Sequence, residues 1–202
     1  MTVMESLPLK LTYRERARMR KELCEWGKQS KWTYTVDYYT DREYIECVAD
    51  IFEHPAFQSM AKFIQHGDTS TREHCIQVSY LCYTLGKMFH VDARTCARAG
   101  LLHDMFLYDW HTYHKECFLP HGFTHARVAL KNADSYFELN EVERNSILRH
   151  MFPLTPIPPR YAEGLILVYA DKYVSTYEVL KDIKVVGLRT GSLLKSLILH
   201  RA

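Results

Sequence analysis

Six side chains in this chain have the types and settings of metal ligands: His74, His103, Asp104, His125, His150 and Asp171. The sharpest clue is AGLLHDMFLYDW at 99–110, where His103 and Asp104 sit side by side in an otherwise apolar run. Burying an unpaired carboxylate costs several kcal/mol or more, so buried charges are paired or bound to metal. Asp171 raises the same question inside LILVYADKYV. Four imidazoles and two carboxylates suit one or two first-row transition ions, with iron, manganese, cobalt, nickel and zinc all admissible. Adjacent residues on a helix point about 100° apart. His103 therefore reaches one ion while the two oxygens of Asp104 bridge toward a second.

Helical elements must bring these residues together. In DTSTREHCIQVSYLCYTLGKMF, Ser70 and Glu73 have capping-box spacing, and His74, Val78, Leu81, Leu85 and Met88 then recur on one face. Asp92 is placed to cap a second helix, predicted to run from Ala93 through Met105. Thr124 is placed to cap a third from His125 to about Tyr136. Asn140 with Glu143 caps a fourth that ends near His150. The stretch FPLTPIPPRY holds four prolines and reads as a stiff connection. A strongly apolar helix is expected over roughly Arg160 to Val179, with Leu167, Asp171 and Val174 on one face. Residues 106–122 read as a loop rich in aromatics and histidine. VVGLRTGSLL at 185–194 reads either as a short strand pair or as a peripheral helix.

The ordered set H…HD…D, met by His74, His103-Asp104 and Asp171, resembles the HD-domain metallohydrolase superfamily. HGFTHARVA at 121–129, His150 and the Ala170-Asp171-Lys172 triplet extend the likeness to its binuclear members over about residues 66–178. The resemblance implies an all-α helical bundle with the metal site at its centre. It implies that His74, His103, Asp104 and Asp171 hold a first ion, and Asp104, His125 and His150 a second. It also implies phosphohydrolase chemistry through a metal-activated hydroxide, commonly on nucleotides. The same ligand set resembles inositol oxygenase, so a diiron oxygenase activity is one alternative. A non-catalytic nucleotide- or metal-binding module is another. The GYP signature of the cyclic-di-GMP branch is absent, which counts against that subgroup.

Around the ligands, His121 competes with His125, and as a loop residue it would donate a proton to the leaving group. Asp104 and Lys172 complete the catalytic candidates. Lys172 either contacts a substrate phosphate or snorkels to water. Arg127 and Arg149, each near a proposed ligand, are candidates for binding phosphate. His111 and His114 read as surface residues of the loop.

The bulk composition is that of an ordinary globular protein. Of 202 residues, 47% are hydrophobic and 25% charged, and the net charge of +2 gives no prior for nucleic acid or a membrane. Six singly spaced cysteines and an N-terminus without signal-peptide features point to a reduced, cytoplasmic setting. The basic run YRERARMRK at 13–21 spreads around a helix and reads as a solvated face. The organisation expected is a helical extension at 1–65 packed on the core, a ligand-bearing domain at 66–180, and an appendage at 181–202. The partner expected is a small phosphate-bearing molecule, most simply a nucleotide.

Overall fold

The computed structural model describes residues 10–29, 38–66, 68–110 and 120–199. His111 and His114 lie outside them, as does most of WTYTVDYYT at 32–40. The described residues are overwhelmingly helical. The helices are α1 (Tyr13–Gln29), α2 (Arg42–Phe52), α3 (Pro55–Ser59), α4 (Thr71–Met88), α5 (Ala93–Leu102), α6 (His121–Tyr136), α7 (Glu141–Arg149) and α8 (Ala162–Leu199). One antiparallel hairpin of two short strands, β1 (Ile64–His66) and β2 (Thr69–Ser70), leads into α4. The all-α expectation holds.

Local chemistry sets most helix starts. Ser70 Oγ accepts from the Glu73 amide, and Asp92 Oδ1 accepts from that of Thr95. Asn140 and Glu143 form a reciprocal capping box. Each pairing satisfies donors that a helix N-terminus leaves open. The α4–α5 turn closes with His90 in the left-handed region (φ 55°). There the His90 and Val91 amides donate back to the Lys87 and Gly86 carbonyls.

The hairpin of α4 on α5 is the spine of the core. A Cβ on Gly100 would lie 2.6 Å from Ser79 Cα, so only glycine allows the two backbones this close. Ser79 Oγ donates to the Ala97 carbonyl across the same crossing and accepts from Tyr44 of α2. That crossing sets His74 of α4 beside the end of α5. α8 packs on α4, α5 and α7, burying Leu165, Ile166, Leu167, Ala170 and Val174. α1 and α2 join the same core through Leu23, Tyr44, Val48 and Ile51.

Three predicted boundaries change. α5 stops at Leu102, not Met105: His103 is its C-cap, and Asp104 lies in a turn where the Phe106 amide donates to the Asp104 carbonyl. α6 starts at His121, four residues before His125, because Pro120 serves as its N-cap and the Thr124 hydroxyl donates back to the His121 carbonyl instead of capping. α8 begins at Ala162 and its backbone continues as helix through VVGLRTGSLL to Leu199, so no strand pair forms there. Among the described residues Cys47, Cys75, Cys82 and Cys96 are free thiols. Also among them, no helix is long and apolar enough to cross a membrane.

Candidate metal centre

The six candidate ligands converge in the buried centre of the bundle as two groups. His74, His103 and Asp171 form one, and Asp104, His125 and His150 the other. Within each group the potential ligand atoms lie within 4.8 Å of one another. Asp104 links the groups. Its Oδ2 is 3.5 Å from His103 Nε2, while its Oδ1 is 3.3 Å from His125 Nε2 and 3.6 Å from His150 Nε2. Asp171 Oδ1 is 3.4 Å from His74 Nε2 and 3.8 Å from His103 Nε2.

Backbone geometry aims each imidazole. His103 and His150 are the C-caps of α5 and α7. Their Nδ1–H groups turn back to the Gly100 and Ile147 carbonyls, at 2.8 Å each. These are carbonyls of the kind a helix end leaves without an intrahelical partner. His125 Nδ1 donates to the His121 carbonyl at 2.9 Å, and His74 Nδ1 to Glu178 Oε2 at 3.0 Å. With Nδ1 committed four times, Nε2 is the nitrogen that faces the centre. This outer support is what metal-binding histidines ordinarily have.

Two observations test whether a cation fits. His103 Nε2 and Asp104 Oδ1 are buried and make no hydrogen bond within the protein. His125 Nε2 and His150 Nε2 approach to 2.9 Å, and two lone pairs that close need a proton or a cation between them. The mixed nitrogen and oxygen donor set matches a first-row divalent ion.

The electrostatics show a centre that draws positive charge: burial alone would lower His74, His103 and His125, but the carboxylates around them raise all three above the ordinary imidazole value. Against its burial, hydrogen bonds to Asp171 and Glu178 carry His74 up to about 10. Burial alone would raise Asp104, yet the charge of His103 and the His125 imidazole 3.3 Å away hold it well below the usual carboxylate range. His150 moves the other way: burial, then the charges of His125 and His103, push it down to about 3. The carboxylates are thus ionised, and one imidazole is kept neutral with its lone pair available.

A family model for the HD domain matches residues 71–175, just over half of the chain. The chain belongs to the HD-domain family. The match opens on the first residue of α4, closes inside α8, and contains all six converging side chains. Searches of curated proteins and of solved structures find no match.

The other predicted residues of this HD protein lie at varying removes. His121 stacks on His125, with ring centroids 4.7 Å apart, and on Trp110 at 5.2 Å; its Nδ1 is 3.1 Å from the Tyr108 hydroxyl. Lys172 Nζ lies 3.8 Å from Asp171 Oδ2 and donates to the His150 carbonyl at 3.2 Å. Arg127 and Arg149 meet elsewhere, in a groove of about 570 Å³ between α6 and α7 shared with Lys131 and Asp134.

Two residues at the centre escaped the sequence reading. Glu178 follows Asp171 by seven residues, close to the same face of α8, and that spacing was a usable signal. Gln65, on β1, donates its Nε2 to Asp104 Oδ2 at 2.7 Å and accepts from Thr71 at its Oε1. Nothing in the sequence around Gln65 marks it.

Proposed function

We propose that this HD protein is a metal-dependent phosphohydrolase acting on a small phosphate ester or anhydride, with nucleotides as the class its family resemblance implies. The observation that carries the reading is the pair of ligand groups joined by Asp104, the arrangement a two-ion phosphohydrolase requires. His74, His103, Asp104 and Asp171 would hold one divalent ion, and Asp104, His125 and His150 the other. When bound, such ions supply Lewis acidity toward phosphoryl oxygens and a nucleophile at neutral pH.

The chain's own groups do the rest. Lys172, with its ammonium beside the outer oxygen of Asp171, offers positive charge to a bound phosphate. The ester oxygen that leaves must gain a proton as the phosphoryl group passes to water. His121, stacked on His125 and outside the six, is assigned that proton. The Tyr108 hydroxyl, 3.1 Å from His121 Nδ1, would orient the ring for that transfer. Arg127 and Arg149 would add positive charge along α6 and α7 for a substrate with more than one phosphate. Burial of all six candidate ligands strengthens every charge interaction at the centre.

The test joins composition to turnover. Protein purified without chelator is analysed by elemental mass spectrometry, as wild type and as His150→Ala, and both are assayed on a panel of nucleotides and p-nitrophenyl phosphate. Two ions in the wild type, one in the variant, and hydrolysis only by the wild type would support the reading. Metal without turnover of any ester would leave a binding module, and no metal after reloading would remove both.

A further inference from the structure

A second cavity, of about 270 Å³, opens between α1, α8 and the Phe152 turn. Leu23, Phe152, Leu165 and Val168 give it apolar walls, while Arg20 and Lys172 set two cations around it. Lys172 joins this cavity to the metal centre: the residue lines the cavity, and its ammonium stands 3.8 Å from Asp171 Oδ2. The Arg20 guanidinium lies over the Phe152 ring, 5.6 Å from the centroid, which fixes the charge at the edge of the apolar surface.

Resting on the phosphohydrolase reading, we propose that this cavity receives the apolar aromatic group of a phosphate monoester, its phosphate facing the metal centre past Lys172. Three features support that class. The volume falls just below the roughly 300–1,000 Å³ of drug-sized sites, enough for one ring system and too small for a dinucleotide. The charge is complementary, with cations beside apolar walls and no carboxylate among the lining side chains to repel an anion. Tyr169 and Tyr173 also line it and add ring faces with hydroxyls, while no side-chain amide or carboxylate is present to read the polar edge of a base in the usual way. One wall, with Arg20 and Leu23, comes from α1, outside the matched 71–175 region. Selectivity is thereby assigned to the N-terminal extension.

The full chain, loaded with manganese, is titrated calorimetrically with 1-naphthylphosphonate and with methylphosphonate. Val168→Trp fills the cavity, and Arg20→Ala, at an exposed position, removes a cation without touching the core. Metal content is measured on every sample. Wild type is expected to prefer the naphthyl compound. Val168→Trp is expected to weaken it by about tenfold or more and leave methylphosphonate unchanged. Arg20→Ala is expected to weaken the naphthyl compound several-fold with metal content intact. Equal affinity of wild type for the two phosphonates overturns the proposal. So does naphthyl binding that neither variant alters. Turnover of 1-naphthyl and methyl phosphates separates the two readings. Ring-selective binding without turnover keeps the cavity and removes the hydrolase, whereas turnover indifferent to the ring does the reverse.

Discussion

Glu178 shows how a residue can matter to a site without touching what binds there. Its carboxylate takes the Nδ1 proton of His74, deep in the bundle, and so fixes which nitrogen looks inward. Such outer partners are worth about 10–100-fold in metal affinity when removed. Glu178→Ala is therefore expected to lose about that much in a competition titration with a chelating dye, and Glu178→Gln, which still offers an oxygen acceptor, to recover part of it. Equal affinities for wild type and Glu178→Ala would show that His74 needs no such support. At this scale the sequence was readable where ionisable side chains interrupt apolar runs, as at His103-Asp104 and Asp171. It was silent on Gln65, whose amide reaches Asp104 from a strand 39 residues earlier, because pairing across that distance leaves no local pattern.

Among the elements, the α4–α5 crossing is the most demanding. Gly100→Ala would drive a methyl carbon to within 2.6 Å of Ser79 Cα, and the backbones would have to part. Overpacking of this kind costs about 1–3 kcal/mol, to be read from denaturant unfolding of the metal-free protein. A further loss of metal affinity is expected, since His74 and His103 are carried on the two helices that separate. Unchanged stability would mean that the two backbones part at this crossing without cost. Helix starts were legible here because Ser70, Asp92 and Asn140 announce themselves chemically. The end of α5 was not. Apolar periodicity runs on through Met105, but the chain turns after His103 and Asp104 faces three imidazoles, so pairing of its charge outweighs continuation of the helix. Pro120 likewise set the start of α6, and Thr124 drew attention away from it.

Across the whole molecule, Arg98 ties three parts of the chain together. From α5 it donates to Glu143 of α7 at 2.8 Å and to Asp50 of α2 at 2.6 Å. Arg98 and Glu143 are both buried, so Arg98→Met would strand a carboxylate inside the protein. Breaking a buried pair from one side costs about 3–5 kcal/mol, and a loss of that size in the urea unfolding free energy is the expected result. A loss under about 1 kcal/mol, the range of exposed pairs, would mean Glu143 regains water. The fold class followed from helical periodicity and capping residues, which are local. Packing of 1–65 on the core was expected, but the residues that join α2 to it were not legible, because the joint rests on contacts such as Arg98 with Asp50 and Tyr44 with Ser79, between residues 48 and 35 positions apart.

His74 is gripped at both ring nitrogens by one helix, with Asp171 at Nε2 and Glu178 at Nδ1, two turns apart on α8. The ring therefore works as a gauge between two marks on a ruler. Sliding α8 along its axis by one residue, about 1.5 Å, would pull both marks off the ring together. The long helix is thereby held to a single setting against α4, and the aim of one imidazole is tied to that setting.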